Sequence, residues 1–227
     1  DGDSGAAASC AVGETDGDLS FYNWADYIDE ESIPRFEEEY GIKVEYTMYE
    51  SNEQMLAQVD AGAANYDLIV PSDYMVDTMI AEGLLMELDF DAIPNATNIS
   101  DEFHSPPFDP DHKYHVAYQW GTTGIGISYD ALEELGNVEP TWGFIFDPAL
   151  SGMVSGGISM LDDAPESFSA ALKYLGYSID EVMVGGNEEA IREAGELLKA
   201  TKASLLKYDS VAYSDDLMNG ELAVAHG

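Results

Sequence analysis

The first half of the chain alternates between strand-like and helix-like segments, and this alternation restricts the fold more than any other feature of the sequence. The strand-like segments are residues 19–23, 42–48 and 67–70, and the helix-like segments are residues 32–40, 51–61 and 77–83. Strands that are connected through helices pair in parallel, so the sequence predicts an α/β protein with a doubly wound, mainly parallel sheet. Such sheets bind ligands beyond the carboxyl ends of their strands.

The second half of the chain repeats this pattern after a segment that contains several glycines. Its predicted strands are residues 116–120, 125–129, 154–160 and 222–225, and its predicted helices are residues 164–175, 188–201 and 214–218. Glycines within extended structure indicate a bend, here at residues 121–126. We therefore expect a first lobe at residues 18–123 and a second lobe at residues 124–227. The small, polar and acidic residues 1–17, which include the single cysteine, Cys10, are typical of a flexible tether.

The chain is very acidic, with 45 Asp and Glu residues, 8 Lys and Arg residues and a net charge of −37. This charge argues against nucleic acids and anionic membrane surfaces as partners, because proteins bind both through Lys and Arg. Cationic ligands remain natural partners. A second interpretation, which we favour as the main cause, is adaptation of the whole surface to high salt, since salt screens the repulsion between like charges.

Motifs of enzymes and of metal sites are weak in this sequence. The four histidines form no HExxH pair, and no Gly-x-Ser-x-Gly elbow or phosphate-binding loop occurs. His112 and His115 lie close in sequence to Asp109 and Asp111, which suggests a metal site, but a proline-rich polar surface loop accounts for these residues better. We therefore expect a protein that is not an enzyme and that needs no metal or cofactor.

A series of motifs, in order and with regular spacing, covers almost the whole chain from residue 18 onward. The motifs are FYNWADYID at residues 21–29, GIKVEYTMYESNEQM at 41–55, YDLIVPSDYMVD at 66–77, PFDP at 107–110, WGTTGIG at 120–126, LDDAPESF at 161–168, LKYLGYS at 172–178 and NGELAVAHG at 219–227. With this ordered set the chain resembles the periplasmic polyamine-binding proteins, the spermidine and putrescine receptors of ABC importers.

The resemblance implies a two-lobed, type II periplasmic-binding-protein fold. Each lobe then has a mainly parallel sheet flanked by helices, and the lobes close over the ligand through a hinge. The chain of such receptors continues beyond the position of Gly227, so the second lobe is expected to be incomplete. The resemblance also implies a polyamine ligand, a membrane permease as partner and a periplasmic or extracellular location. An N-terminal membrane tether fits this picture, and we expect a monomer.

A polyamine is an apolar chain with separated ammonium groups, so its site needs carboxylates for the ammonium groups and aromatic rings beside the methylenes. The resemblance assigns ligand contacts to Trp24 and Tyr27, after the first strand, and to Ser72 and Tyr74, after the third. From pattern alone, Trp24 fits a buried strand–helix joint equally well, and Ser72 is better explained as a helix N-cap. Ala25 departs from the hydroxyl residue that some relatives carry, which affects the expected spacing of the amines.

Asp163 and Glu166 are the expected acidic ligands. They lie three residues apart at the start of a predicted helix, so their carboxylates can share one face of its first turn. A capping box with Pro165 in the first turn explains the same residues without a ligand. The resemblance favours amine binding by this pair, and a looser match adds Ser210. Trp120 fits packing at the hinge at least as well as ligand contact, and we leave it out of the site.

Two alternatives stay open from the sequence. A receptor of the same fold could bind a different solute, such as another amine or a ferric ion. Alternatively, an enzyme or assembly protein could be built on this fold, with acidity that serves only salt tolerance.

Overall fold

The structure is a computed structural model that describes residues 15, 17–25, 27–29, 31–62, 66–136, 138–179, 182 and 186–227. The chain divides into a first unit that ends at Trp120 and a second unit that begins at Gly121. Almost all of the predicted tether, including Cys10, lies outside the described residues.

Three parallel strands form the described sheet of the first unit, in the order β2-β1-β3. The strands are β1 (Leu19–Trp24), β2 (Val44–Tyr49) and β3 (Leu68–Ile69), and the helices are α1 (Ser32–Tyr40), α2 (Asn52–Asp60) and α3 (Asp73–Glu82). Short 3₁₀ turns follow at Phe90–Ala92, Pro94–Asn98 and Asp101–Phe103. The predicted β-α-β-α-β succession with parallel pairing is confirmed.

The sequence signals at the ends of α1 and α2 are also confirmed. Gly41 follows α1 with a φ of 69°, the left-handed conformation that glycine adopts without strain. Ser51 is the N-cap of α2, and its hydroxyl accepts a hydrogen bond from the backbone N–H of Gln54 at 3.2 Å. These caps fix where the chain leaves each helix and where it enters the next one.

Aromatic rings and methionines make up the core of the first unit. Tyr22 of β1 stacks on Tyr66 with ring centroids 4.3 Å apart and meets Tyr49 of β2 edge to face at 4.8 Å. The other fully buried members of this cluster are Met55, Met75 and Met79. Because Tyr49 is also the last residue of β2, packing of this core holds the carboxyl edge of the sheet in place.

In the second unit, the described strands form a sheet in the order β4-β7-β5-β6. The strands are β4 (Ile125–Ile127), β5 (Gly157–Met160), β6 (Lys207–Tyr208) and β7 (Leu222–His226). The helices are α4 (Tyr129–Leu135), α5 (Gly143–Phe146), α6 (Pro148–Ser151), α7 (Ala164–Leu175), α8 (Glu188–Thr201) and α9 (Tyr213–Met218). Strand β5 is parallel to β6 and β7, and β4 is antiparallel to β7, so this sheet is mainly parallel, as predicted.

Helices α7 and α8 pack against each other through small side chains. Ala170 and Ala171 of α7 and Ala190 and Ala194 of α8 are all buried, and alanine lets two helix backbones approach closely. Every residue of β7 is buried as well. The core of the second unit therefore surrounds β7, the longest of its described strands.

The prediction of a strand at residues 116–120 is wrong, since these residues form no strand in the described part of the chain. Side chains hold this segment instead. The Tyr118 hydroxyl and Gln119 Nε2 both donate hydrogen bonds to the backbone carbonyl oxygen of Tyr27. An alternation of apolar and polar residues does not distinguish such a tethered segment from a paired strand.

Several predicted bounds also shift, and two of these shifts concern the start of a helix. The strand predicted at residues 125–129 ends at Ile127, because the Ser128 hydroxyl caps α4 by accepting the Ala131 N–H at 3.2 Å. The helix predicted at residues 77–83 begins earlier, at Asp73. In both places a serine occupies the N-cap position, but only the Ser128 hydroxyl makes the cap hydrogen bond.

Candidate functional site

The carboxyl ends of the three strands of the first unit lie at one edge of the sheet, because all three strands are parallel. Trp24, the last residue of β1, is in register with Tyr49, the last residue of β2. Ser72 and Tyr74 come directly after β3, at the start of α3. The structure therefore places Trp24, Ser72 and Tyr74 on or just after this edge, and Tyr27 contacts Trp24.

Trp24 is half-buried at this edge. Its ring centroid lies 4.6 Å from that of Tyr49 and 6.0 Å from that of Tyr27, a residue that is 42% exposed. Tyr49 is buried, its hydroxyl donates a hydrogen bond to the Val70 carbonyl oxygen, and burial raises its pKa. Trp24 thus has one side against the core, and the rings of Trp24 and Tyr27 together provide an aromatic surface at the sheet edge.

The chain around Tyr27 is held by two residues that sequence reasoning did not assign to the site. Tyr118 and Gln119 both donate to the carbonyl oxygen of Tyr27, as described above, with Gln119 Nε2 at 3.0 Å. Trp120 follows, 75% exposed, with its ring 6.0 Å from that of Phe103. No local sequence signal could have revealed these contacts, because they join residues more than ninety positions apart.

Ser72 and Tyr74 share one partner, Asn52. The Nδ2 group of Asn52 donates hydrogen bonds to Ser72 Oγ at 3.0 Å and to Tyr74 Oη at 2.8 Å. Ser72 occupies the N-cap position of α3, but within the described residues its hydroxyl bonds Asn52 and makes no cap hydrogen bond. Ser72 is thus the N-cap residue that the sequence favours, but its hydroxyl does not make the cap hydrogen bond, and sequence reasoning missed Asn52.

Asp163 and Glu166 follow β5 in the second unit, at the start of α7. Asp163 is the N-cap, and its Oδ1 accepts a hydrogen bond from the Glu166 N–H at 3.0 Å. Pro165 lies in the first turn, as expected for a helix start. The capping explanation of Asp163 is thus correct. It leaves the negative charge of both half-buried carboxylates at one helix end.

Ser210 follows β6, and β6 is parallel to β5, so Ser210 lies at the same sheet edge as Asp163. Its Oγ is buried and has no hydrogen-bond partner among the described residues. Lys207 binds Asp209 at 2.8 Å and also pairs with Asp216, and these hydrogen bonds raise the pKa of Lys207. This ion-pair group holds the chain on both sides of Ser210.

His226, which ends β7 at this edge, is completely buried. Its Nδ1 accepts a hydrogen bond from the backbone N–H of Leu161 at 3.5 Å, which puts the proton on Nε2. The ring packs edge to face on Trp142 at 5.5 Å, and burial lowers the pKa of His226 to about 4. The ring is therefore neutral at neutral pH and adds no positive charge to this edge.

The loop with several histidines is organised around the buried carboxylate of Asp109. This carboxylate accepts hydrogen bonds from the N–H groups of Lys113 and Tyr114 at 2.9 and 2.8 Å, and from His115 Nδ1 at 2.7 Å. Burial alone would raise the pKa of Asp109, but these donors outweigh burial and lower it. Among the described residues, no three His, Cys, Asp or Glu side chains are arranged to hold a metal ion.

None of the helices in the described part of the chain is both long enough and apolar enough to span a bilayer.

Several proteins that are named for polyamine binding are similar in sequence to this chain. The model of the bacterial extracellular solute-binding protein family matches residues 31–227. A putrescine/cadaverine-binding protein of Pseudomonas aeruginosa is 35% identical over 92% of this chain and 58% of its own length. A spermidine/putrescine-binding periplasmic protein of Escherichia coli is 34% identical over 94% of this chain and 59% of its own length. The chain thus spans about three-fifths of the length of these relatives.

Solved structures agree with this similarity. The crystal structure of the TpPotD lipoprotein of Treponema pallidum is 34% identical to this chain, with a TM-score of 0.77 over 92% of this chain and 63% of that one. This likeness confirms the predicted periplasmic-binding-protein-like α/β fold. Since the family match covers most of the sequence and the fold agrees, the chain belongs to the bacterial extracellular solute-binding proteins.

Proposed function

We propose that this chain is part of a receptor that captures a polyamine, putrescine or spermidine, for an ABC importer, and that it has no catalytic role. The observation that carries this proposal is the set of side chains at the carboxyl edges of two sheets, the parallel sheet of the first unit and the mainly parallel sheet of the second. The first edge carries aromatic rings and hydroxyl groups, and the second carries carboxylates. Relatives that are named for putrescine, cadaverine and spermidine binding support the ligand class.

The chemistry of these side chains suits a linear polyamine. In this proposal the rings of Trp24 and Tyr27 lie beside the methylenes, and each ring that faces an ammonium group contributes about 0.5–2 kcal/mol. Asp163 and Glu166 neutralise an ammonium group through charge-assisted hydrogen bonds, which are about twice as strong as neutral ones. The hydroxyl oxygens that accept further ammonium hydrogens belong to Ser72, Tyr74 and Ser210.

The second unit supports this assignment through two polar features. The Oγ of Ser210 is buried and has no hydrogen-bond partner in the described part of the chain, and a buried hydroxyl without a hydrogen bond is unfavourable unless something pairs with it. The two carboxylates of Asp163 and Glu166 lie where the partial positive charge at the start of α7 repels a cation, so at least one full negative charge is needed to attract one. Both features favour a cationic ligand with several N–H donors.

We further propose that the receptor works as a monomer outside the cytoplasm, held at the membrane through its N-terminal segment, and delivers the polyamine to a membrane permease. Ligand contacts made by both units would favour the closed form. Because the chain spans only part of its relatives, these proposals concern the whole protein that contains these residues.

Calorimetric titration of the whole protein tests the proposal. Putrescine, spermidine, cadaverine, arginine and ferric citrate are titrated separately. The double variant Asp163→Asn, Glu166→Gln keeps the side-chain oxygen that caps α7 and removes both charges. We expect polyamine binding by the parent, and binding about a hundredfold weaker in the double variant.

A matched control removes the same charges from another helix start. Asp130 and Glu133 are exposed, three residues apart, in the first turns of α4, and Asp130→Asn, Glu133→Gln leaves polyamine affinity within about twofold. Equal affinity in the parent and in the Asp163, Glu166 double variant would overturn the assignment of these carboxylates. Binding of arginine or ferric ion alone would show a receptor for a different solute.

A further inference from the structure

We propose that Asn52 is a positioning residue of the first unit, whose buried amide fixes the hydroxyl groups of Ser72 and Tyr74 in the orientation that meets a ligand ammonium group. The inference rests on the proposed function, because it concerns how that same site is prepared for its ligand. Asn52 itself does not touch the ligand in this proposal. It acts through two residues that do.

The side chain of Asn52 makes three hydrogen bonds with the start of α3. Its Oδ1 accepts from the Ser72 N–H at 3.2 Å, and its Nδ2 donates to Ser72 Oγ at 3.0 Å and to Tyr74 Oη at 2.8 Å. Asn52 is the first residue of α2 and is 0% exposed. One buried amide therefore ties the start of α2 to the start of α3.

The direction of these hydrogen bonds follows from one of them. A backbone N–H can only donate, so the Asn52 atom that faces the Ser72 nitrogen is the oxygen, Oδ1. This fixes the amide orientation and places Nδ2 toward both hydroxyl groups. The two protons of Nδ2 can only be donated, so Ser72 Oγ and Tyr74 Oη both accept from Asn52.

This arrangement determines where the hydroxyl protons point. A hydroxyl oxygen that accepts a hydrogen bond from Asn52 directs its own proton away from Asn52. A ligand ammonium group, which can only donate, then meets oxygens whose orientation is already set. Groups that are fixed before binding lose less conformational freedom when the ligand arrives, which increases affinity without any new contact.

The two helix starts differ in a way that supports a binding role. The Ser51 hydroxyl caps α2 by accepting the hydrogen bond from the Gln54 N–H. Ser72 holds the equivalent position before α3, with φ −68° and ψ 159°, yet its hydroxyl bonds Asn52 and leaves the cap unmade within the described residues. The usual stabilising use of a serine at this position is thus replaced by a hydrogen bond that orients its side chain.

A double-mutant cycle on the full-length protein, with putrescine and spermidine as ligands, tests the inference. We expect Asn52→Ala to weaken binding by about tenfold, since it removes the hydrogen bonds that orient both hydroxyl groups. If Asn52 acts through the Tyr74 hydroxyl, that hydroxyl is already missing in the Tyr74→Phe variant. Asn52→Ala should then weaken binding by clearly less than tenfold when it is added to Tyr74→Phe. If the role of Asn52 is purely structural, the loss of affinity in the double variant equals the product of the losses in the two single variants. Such a product would overturn the inference. An Asn52→Ala variant with the affinity of the parent would also overturn it.

Ser51→Ala is the matched control. It removes the cap of the same helix, one residue away, and leaves all three hydrogen bonds of Asn52 in place. We expect a lower melting temperature and a polyamine affinity within about twofold of the parent. A tenfold loss of affinity in Ser51→Ala would show that any loosening of α2 has this effect, and it would contradict a specific role of Asn52.

A second measurement needs neither a ligand nor a variant of Asn52, so it also decides the matter if Asn52→Ala fails to fold. In ¹⁵N-edited NMR spectra of the ligand-free protein, one Nδ2 proton signal of Asn52 should move upfield in Tyr74→Phe and the other in Ser72→Ala, because each variant removes one acceptor. Unchanged Nδ2 signals would overturn the positioning role. If these shifts occur but the parent binds no polyamine, the proposed function fails while the hydrogen-bond arrangement stands.

Discussion

The Oδ1 atom of Asp163 accepts a hydrogen bond from the backbone N–H of Glu166 at 3.0 Å, so a residue that we propose as an amine ligand also holds the start of α7. The cap needs a side-chain oxygen, whereas an ammonium group needs the negative charge. These two requirements are separable by substitution, because asparagine keeps the oxygen and loses the charge.

For Asp163 we therefore predict a difference between two variants. Asp163→Asn keeps the free energy of unfolding close to that of the parent, whereas Asp163→Ala lowers it by about 1 kcal/mol through loss of the cap. Both variants weaken putrescine binding, because both lack the charge. Urea unfolding and calorimetric titration measure the two effects. Equal destabilisation by both substitutions would contradict the capping role.

His226 gives a predicted pH dependence of stability. The unfolded histidine binds a proton below its usual pKa of 6.5, but the folded one does so only below about 4. Lowering the pH from 6.5 to about 4 therefore favours the unfolded state, and this histidine contributes a loss of about 3 kcal/mol over that range. The contribution is fully present above the unfolded pKa.

The His226→Asn variant separates the effect of His226 from that of the many carboxylates that titrate in the same pH range. Asparagine can still accept the hydrogen bond from Leu161 N–H but does not titrate. We expect the parent to lose stability relative to His226→Asn between about pH 6.5 and pH 4, as measured by urea unfolding across that range. A stability difference that does not change with pH would rule out the lowered pKa.

Asp109 provides a test of hydrogen bonding in the loop that precedes residues 116–120. The donors around its carboxylate all need an acceptor, and Asp109→Asn turns an N–H₂ group toward at least one of them. We predict a loss of about 2 kcal/mol in the free energy of unfolding despite the similar shape. Asp111→Asn, an exposed substitution in the same loop, should change stability by less than about 0.5 kcal/mol. Equal effects of the two substitutions would contradict this prediction.

We propose that the acidic surface is an adaptation to high salt, and this predicts a salt-dependent stability. The repulsion within a net charge of −37 falls as KCl rises from about 0.1 M to about 1 M, because the screening length drops from ~10 Å to ~3 Å. The melting temperature should increase over this range, and Glu38→Gln, Glu39→Gln on the exposed surface of α1 should reduce the increase. Calorimetric scans measure it, and a melting temperature that is independent of KCl would contradict the proposal.

Helices and strands that are marked by residues close together in sequence were predictable from the sequence. Helices α7 and α8 have the predicted bounds, since each has an apolar face and clear cap residues at its start, Asp163 and Asn187. The parallel arrangement followed from the alternation of strands and helices. The position of Trp24, Ser72 and Tyr74 at one sheet edge followed in turn from that arrangement.

Features that depend on distant residues were not predictable in this way. Asn52 reads as an ordinary first-turn residue of α2, and its role emerges only because folding brings Ser72 and Tyr74 next to it. Residues 116–120 alternate like a strand, but the carbonyl oxygen of Tyr27 provides their partner. In both cases the deciding partner lies far away in sequence, and no local pattern records it.

Strand β7 follows β4, β5 and β6 in the sequence, yet it lies between β4 and β5 inside the second sheet. That sheet cannot assemble on the ribosome until His226 has emerged, whereas the first sheet needs only the residues up to Ile69. The first sheet can therefore form early, while the second sheet stays incomplete until β7 has been synthesised. Such a delay would leave the residues of the second sheet exposed to proteolysis for longer than those of the first sheet.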